Sequence, residues 1–288
     1  MQKVGTIQSL WRYPVKGMAG ESLAQCAANG EGLQGDRTWA VQDRARQEIQ
    51  SCKFRPALLQ CRARQRLNTR GELSGQVDVT FPDGSVLGSD AVPVHQQLSD
   101  LLGHASSLQT LRPFADDPGF YRRYKADPDT WLRELKATFA REPGEPLPDL
   151  DNLPPDMQEF VSVPGSFFLV SRLHILTSAS LRHMQQINSA ADWHVERFRP
   201  NLMIDTLPGM AGLVEQTWIG KRMRIGNLAI HCTGTAPRCG AVTRPQGELG
   251  SDTGILRSIV HAAEQNLGIY GSIEGAGLLQ VGDEVWVG

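Results

Sequence analysis

The residue with the clearest chemical potential in this chain is Cys239, in the segment TGTAPRCGAV. A cysteine reacts and binds metals as the thiolate, and the cationic Arg238 immediately before it favours that form. Pro237 and Gly240, which flank this pair, predict a shaped turn and not a regular element. A free cysteine is also commonly a small buried apolar residue, and the residues alone leave both interpretations open.

Three further segments combine a basic residue with a turn or a rigid backbone. They place Lys16 before a glycine in YPVKG, Arg37 in GDR, and Arg199 before Pro200 in RFRPN. Guanidinium groups bind phosphate through two hydrogen bonds and lysine acts as a point charge, so these cations and Arg238 would together suit a phosphate or another dianion. Taken singly, each is interpreted as a solvated charge.

The common signatures of nucleotide and hydrolytic sites are missing from the sequence. It contains no GxxxxGK[ST], HExxH or GxSxG motif and no pair of CxxC motifs. His231, Cys232 and Cys239 could in principle bind zinc, but no fourth ligand stands at a recognisable spacing. Ordinary packing is therefore preferred over a zinc site.

Length and composition indicate a globular chain of roughly two domains. Of its 288 residues 40% are hydrophobic and 21% charged, which allows a sizeable core and argues against global disorder. The 29 Lys and Arg against 31 Asp and Glu give a net charge of −2, which argues against a nucleic-acid binder. No apolar run approaches the ~18 residues of a membrane span, and no secretory signal is visible. The five cysteines form no CxxC pair, which indicates a reduced, cytoplasmic protein.

Hydrophobic periodicity predicts a small, mostly antiparallel sheet or barrel in the first third of the chain. RTWAVQD alternates between two faces. VDVTF and SVL flank the turn PDG, a hairpin signal because Asp-Gly accepts the positive φ of a tight turn.

Residues 113–164 differ in composition from the segments around them. Trp131, Leu135 and Phe139 recur at helical spacing and predict one amphipathic helix. The Pro-rich, acidic stretch REPGEPLPDLDNLPPD after it predicts an irregular connector. A surface excursion is preferred over a functional lid for this connector.

The last third mixes strands and helices. Ser178 is predicted to cap a helix whose inward side carries Leu181, Met184 and Ile187. KRMRIGNLAIHC predicts two strands joined at Gly226-Asn227, DTGILRSIVHAAEQ a helix, and VGDEVWVG a closing strand. These elements give an α+β or mainly β protein and not a βαβ repeat.

Several of these segments together resemble the MOSC-domain family, named after the C-terminal domain of molybdenum cofactor sulfurase. SLWRYPVKG, GLQGDRTWAV and FRPALLQ are similar to the MOSC-associated N-terminal domain, and LHILTSASL, RFRPNLMID, PRCGAVT and VGDEVWVG to the MOSC domain itself. The resemblance covers nearly the whole chain and is closest to the branch with the amidoxime reducing component and the hydroxylaminopurine reductase. It implies a β-barrel MOSC domain with peripheral helices at 165–288, a smaller N-terminal antiparallel β domain at 1–112, and a helical, Pro-rich connector at 113–164.

The resemblance also implies a site for the molybdenum cofactor (Mo-molybdopterin). Cys239 matches the family cysteine whose sulfur ligates molybdenum, and soft thiolates suit softer metals. Positions that hold the phosphate and pterin in the family are matched by Lys16, Arg37 and Arg199. Positions that line the same site are matched by Asn201 and Arg238. Thr177 and Ser178 are candidate hydrogen-bond donors at a helix N-terminus, with a plain helix cap as the competing interpretation.

By this resemblance the chain is an oxidoreductase that reduces N-hydroxylated compounds such as amidoximes, hydroxylamines and N-hydroxylated bases. The hydroxylaminopurine branch carries a ferredoxin domain that this chain lacks, so electrons are expected from a separate ferredoxin-, flavoprotein- or cytochrome-type protein. MOSC domains are also linked to sulfur transfer beside a pyridoxal-phosphate desulfurase. Two alternatives therefore stay open, a persulfide carrier on Cys239 and a carrier or storage protein for the cofactor. Neither nucleic acid nor membrane is expected as a partner.

Two positions depart from the family pattern. The branch has serine where this chain has Gly17 and Pro237. These departures affect details of contact with cofactor or substrate and leave the cofactor assignment unchanged.

Overall fold

The computed structural model describes residues 1–125 and 128–288, which form mostly β-strands. The strands are β1 (Gln2–Arg12), β2 (Glu21–Leu23), β3 (Gln25–Asn29), β4 (Gly32–Leu33), β5 (Trp39–Asp43), β6 (Glu48–Ile49), β7 (Arg62–Leu67), β8 (Leu73–Thr80), β9 (Val86–Gly88), β10 (Ser106–Thr110), β11 (Leu173–Thr177), β12 (Leu202–Thr206), β13 (Arg222–Ile225), β14 (Leu228–Pro237), β15 (Asn266–Glu274), β16 (Ala276–Gln280) and β17 (Glu284–Val287). The helices are α1 (Pro93–Leu102), α2 (Pro128–Ala137), α3 (Pro155–Glu159), α4 (Ser178–Ile187) and α5 (Gly254–Ala262). No helix in these described ranges combines the length and the apolarity that crossing a membrane requires.

Seven strands close into a β-barrel, which confirms the predicted barrel fold. They follow the order β12-β11-β15-β14-β13-β17-β1, and β1 pairs back with β12. The pair β11–β12 is parallel and the other neighbours are antiparallel. The N-terminal strand therefore completes the barrel. The other six strands all lie after residue 172.

Branched apolar side chains fill the barrel. Ile7 of β1, Ile204 of β12 and Ile230 of β14 point into one buried cluster with strands β11 and β15. A strand turns every second side chain to the same face, so Leu228, Ile230 and Cys232 of β14 are buried while Ala229 and His231 between them are not. The hairpin predicted at Gly226-Asn227 is confirmed, since Ile225 pairs with Leu228.

Small antiparallel sheets form most of the N-terminal region. One joins β10, β5 and β6, and another joins β7, β8 and β9. The predicted PDG hairpin is confirmed there, since Thr80 pairs with Val86. A third sheet pairs β3 with β16 from the C-terminal end of the chain, so the two ends of the sequence also meet outside the barrel.

The apolar stripe predicted in the connector is confirmed. Trp131 and Leu135 of α2 and the following Phe139 pack in one buried cluster with Leu150. Leu150 belongs to the Pro-rich stretch, which therefore folds back onto the helix that precedes it.

The predicted start of helix α4 needs a correction by one residue. Its N-cap is Thr177, whose Oγ1 accepts a hydrogen bond from the amide of Ser180 at 3.2 Å. Thr177 ends β11 with extended backbone, the conformation that an N-cap residue adopts, whereas Ser178 is already helical. Ile187, predicted to point inward, is 46% exposed because it lies at the last turn of the helix.

Candidate functional site

A cavity of about 750 Å³ lies between the barrel, the N-terminal region and the connector. The predicted site residues that line it are Lys16, Arg37, Arg199, Arg238 and Cys239. These five residues are far apart in sequence, and the fold brings them to one place.

Cys239 lies two residues after Pro237, the last residue of strand β14, at the point where the chain leaves the barrel. Its backbone is extended, and a short 3-10 turn, Gly240–Thr243, follows it. The amide of the preceding Arg238 donates to the carbonyl of Gln265 at 2.8 Å, which keeps this exit beside the start of β15. Cys239 is half-buried and packs against the apolar cluster around Leu135 and Phe139.

Backbone pairing sets Lys16 and Arg37 side by side. The amide of Arg37 donates to the carbonyl of Tyr13, and the amide of Lys16 donates to the carbonyl of Trp39, both at 2.8 Å. The Lys16 ammonium group donates to the carbonyl of Phe167 at 2.8 Å. Burial, and then the positive charge of Arg37, lower the pKa of Lys16 to about 7.

Tyr13 stacks against both Arg37 and Arg199. The guanidinium carbons lie 5.0 Å and 4.3 Å from the centre of its ring, within the range of a cation–π contact. Both arginines have a left-handed backbone, with φ of 49° and 55°. Residues other than glycine rarely adopt this conformation, and when they do they often belong to functional sites.

His174 joins Arg238 to Arg199. The guanidinium Nη2 of Arg238 donates to Nε2 of His174, and Nδ1 lies 3.3 Å from the carbonyl oxygen of Arg199. Burial, and then the charge of Arg238, hold the pKa of His174 well below its usual value, so the imidazole is neutral. A neutral ring that accepts a hydrogen bond at Nε2 carries its proton on Nδ1. This N–H group donates to the carbonyl oxygen of Arg199.

Asn201 lies one layer behind the cavity and positions residues that line it. Its side-chain nitrogen donates to Asp36 Oδ2 at 2.8 Å and to the carbonyl of Trp11 at 3.1 Å. Its side-chain oxygen accepts from the amide of His174 at 3.2 Å. Asp36 in turn forms an ion pair with Arg37, so Asn201 fixes a guanidinium without touching it.

Thr177 and Ser178 are not brought to this cavity. Thr177 is fully buried and donates to Glu215 Oε2 at 2.7 Å. Ser178 donates to Asp205 Oδ1 at 2.8 Å and lines a separate cavity of about 430 Å³. The structure places both residues at the start of helix α4, where Thr177 acts as the cap.

The zinc site considered from the sequence does not form. His231 is exposed and the neighbouring Cys232 is fully buried in the barrel, so their side chains point to opposite faces of β14. Within the described part of the chain, no three His, Cys, Asp or Glu residues are placed to bind a metal ion together.

Positive charge dominates the cavity lining. In the described residues one carboxylate, Asp149, stands against six cations. The cations are Lys16, Arg37, Lys53, Arg197, Arg199 and Arg238. Asp36 and Asp192 neutralise two of these arginines. The hydrogen bonds shown for Lys16, Arg199 and Arg238 go to carbonyl oxygens, a hydroxyl group and an imidazole. The cavity therefore attracts an anion, and its guanidinium groups suit a phosphate.

Family models match both parts of the chain. The model described as MOSC domain matches residues 166–286, and the model described as MOSC N-terminal beta barrel domain matches residues 4–112. The chain belongs to the MOSC-domain family. It is 25% identical to mitochondrial amidoxime reducing component 2 from Bos taurus, over 99% of this chain and 84% of that relative.

Two solved structures that match this MOSC-domain chain have low sequence identity to it and TM-scores below 0.5. The YuaD protein from Bacillus subtilis is 9% identical, with a TM-score of 0.48 over 99% of this chain and 95% of its own. YiiM from Geobacillus stearothermophilus is 11% identical, with a TM-score of 0.29 over 41% of this chain and 54% of its own.

The backbone around position 17 explains why this MOSC-domain protein has a glycine there. Its φ is +85°, and a Cβ atom there would lie 3.0 Å from the backbone nitrogen of Cys52. A serine at this position would therefore be strained and crowded unless the segment around Cys52 shifted.

Cys52 is a second thiol in the cavity lining that the sequence did not single out. Burial raises the pKa of this thiol, which keeps it protonated and a poor metal ligand. His174 and Tyr13 were missed as well. A polar residue inside the apolar run LHILT and an aromatic residue beside the lysine of YPVKG are the signals that could have found them.

Proposed function

We propose that this protein is a molybdenum-cofactor-dependent oxidoreductase that reduces N-hydroxylated compounds. The observation that carries the proposal is that the Cys239 thiol and a surplus of cations line one cavity. The name of the bovine relative, an amidoxime reducing component, supports the same class of reaction.

The residues of the cavity fit the cofactor in charge and in ligand type. Lys16, Arg37 and Arg199 would hold its phosphate and pterin, since phosphate binds guanidinium through two hydrogen bonds and lysine as a point charge. The thiolate of Cys239 would ligate the metal, because soft sulfur ligands suit softer metals. The bound cofactor supplies two-electron redox chemistry.

The net reaction breaks the N–O bond of the substrate. Two electrons and two protons are consumed, and the amine or amidine and one water molecule are released. Tyr13 and His174 keep the guanidinium groups in place. This fixed arrangement lets the cations bind an anion without reorganising first.

The electrons come from a separate ferredoxin-, flavoprotein- or cytochrome-type protein in this proposal. We place this protein in the cytoplasm. The same proposal divides the chain into an N-terminal domain at 1–112, a connector at 113–164 and a MOSC domain at 165–288. Asn201 and Arg238 act within it as positioning and lining residues, whereas Thr177 and Ser178 keep a structural role in helix α4.

The two cavity thiols provide a matched test. Protein produced in a cofactor-competent host is analysed for molybdenum per chain by elemental mass spectrometry and for reduction of benzamidoxime with a reduced viologen dye. We expect near-stoichiometric molybdenum and turnover in the wild type and in Cys52→Ala, and loss of both in Cys239→Ala.

Other outcomes would replace the proposal. Bound molybdenum with no turnover of any N-hydroxylated compound would indicate a cofactor carrier. A molybdenum-free protein that gains a stable sulfur on Cys239 after incubation with a pyridoxal-phosphate desulfurase would indicate a persulfide carrier.

A further inference from the structure

The cavity has an apolar part beside its cationic part. Side chains of the connector supply it, and we call this set the connector wall: Leu135, Phe139, Leu150, Leu153 and Met157. Cys239 packs against the buried cluster that contains Leu135, Phe139 and Leu150. The thiol therefore lies where the apolar and cationic parts of the lining meet, next in sequence to Arg238.

Hydrogen bonds hold the connector against the turn that carries Cys239. The amide of Gly240 donates to the carbonyl of Thr138 at 2.9 Å. A guanidinium nitrogen of Arg141 donates to the carbonyl of Arg238 at 3.0 Å and to the side-chain oxygen of Gln265 at 3.1 Å. The connector is thus a fixed part of the cavity and not a surface excursion.

The connector and the turn that carries Cys239 also pack closely against each other. A Cβ atom on Gly240 would lie 3.0 Å from the Cβ of Ala140 and 3.1 Å from the carbonyl oxygen of Thr138. Contacts this close show that the connector backbone is fitted to the Cys239 turn. The connector wall and Cys239 therefore stand side by side in the lining of the cavity.

We propose that the connector wall binds the apolar body of the substrate, so that the protein prefers N-hydroxylated compounds with an aryl group or a long alkyl chain over those with only a methyl group. This inference rests on the proposed function. Lys16, Arg37 and Arg199 hold the phosphate and pterin in that proposal, and the connector wall, against which Cys239 packs, is the apolar part of the lining. An apolar group on this wall leaves water, while its N–OH end points to the thiol.

Two amidoximes with the same head group test the preference. Benzamidoxime carries a phenyl body and acetamidoxime a methyl group. Leu150, 8% exposed, lines the cavity, whereas Leu147, 38% exposed, lies three residues earlier and outside the lining. We expect Leu150→Ser to raise KM for benzamidoxime about tenfold and to change KM for acetamidoxime less than about twofold.

Leu147→Ser is the matched control, with the same substitution in the same segment, and should leave both KM values unchanged. Equal changes for the two substrates in Leu150→Ser would overturn the inference. Leu153→Ser, at a half-buried position of the wall, replaces Leu150→Ser if thermal unfolding shows that the latter does not fold.

A binding measurement separates failure of the wall from failure of the proposed reaction. Benzamide and acetamide are neutral mimics that cannot be reduced, and saturation-transfer NMR follows their binding. If the wild type reduces neither amidoxime, weaker benzamide binding in the wall variants than in Leu147→Ser still supports the wall. Equal benzamide binding in all variants overturns it whatever the activity.

Discussion

The ammonium group of Lys16 illustrates how burial and charge compete at single residues of this site. It is 5% exposed and donates to Phe167 and to Ser162, both of them uncharged partners. Burial without a carboxylate partner costs the charged form more than the neutral form, which is why the pKa of Lys16 falls to about 7. A phosphate bound beside it would restore the charge.

Lys16 should make the stability of the ligand-free protein depend on pH. The pKa of lysine is 10.5 without the fold and about 7 within it, so the unfolded chain binds more protons between these values. The contribution of Lys16 to the free energy of unfolding therefore rises with pH in this window, by up to about 1.4 kcal/mol per pH unit, and is flat below it. Lys16→Met removes this dependence.

Urea unfolding at several pH values compares the wild type with Lys16→Met. As pH rises above 7, the free energy of unfolding of the wild type should rise relative to that of Lys16→Met. Since both proteins share every other titrating group, a constant difference would show that Lys16 keeps its ordinary pKa.

Residues with a local signal could be predicted from the sequence. Cys239 stands in a shaped turn, and Lys16 and Arg199 stand in short motifs that resemble the family. The role of His174 depends on the pairing of strand β11 with β15, and that of Asn201 on a contact with Asp36, 165 positions away. No local pattern contains such information.

Among the elements, strand β1 is the one on which closure of the barrel depends. Gly5 of this strand faces the backbone of β12, and a Cβ atom there would lie 2.1 Å from the carbonyl oxygen of Asp205. Gly5→Ala must push two paired strands apart. We expect it to lower the free energy of unfolding by about 1–3 kcal/mol, as crowding in a packed interior does.

Gly30→Ala is the control for this substitution in chemical denaturation. A Cβ atom on Gly30 would meet no other atom closer than 3.7 Å, the carbonyl oxygen of Ile273, so the added methyl group should be tolerated. Equal stabilities of the two variants would show that β1 does not constrain the barrel at Gly5.

Local patterns predicted individual elements better than their arrangement. The hairpin turns carry Asp-Gly and Gly-Asn pairs, and helix α2 carries one apolar stripe, so each is encoded within a dozen residues. The pairing of β1 with β12 and β17 joins residues about 200 or more positions apart. The alternation of apolar residues along a strand predicts which of its faces is buried. It does not predict which strand pairs with it.

At the scale of the whole molecule, the cavity exists because three parts of the chain meet. The N-terminal region supplies Lys16 and Arg37, the barrel region supplies Arg199 and Cys239, and the connector supplies an apolar wall. The shape of the cavity therefore depends on how firmly the connector is held to the barrel.

The side chain of Arg141 links the connector to the turn that carries Cys239. It donates within the connector to the carbonyls of Phe139 and Pro146, both at 2.8 Å, and across to Arg238 and Gln265. Arg141→Met removes all four bonds, so local separation of the connector from the Cys239 turn should become easier. The Gly240 amide, bonded to the connector, should then exchange its hydrogen about tenfold faster, which corresponds to a loss of about 1.4 kcal/mol in local stability.

Hydrogen exchange followed by mass spectrometry, on peptides that cover the connector and the Cys239 turn, measures this effect. Arg133→Met is the control, since Arg133 is exposed on helix α2 and the hydrogen bond shown for it goes to Thr130 of the same helix. If Arg141→Met exchanged no faster than this control, the apolar packing of the connector and the hydrogen bonds from Arg257 to Ala140 and Glu145 would be sufficient to hold the connector. Faster exchange confined to the connector and the turn would show that the Arg141 guanidinium helps to hold the connector wall beside Cys239, the residue proposed to bind the metal.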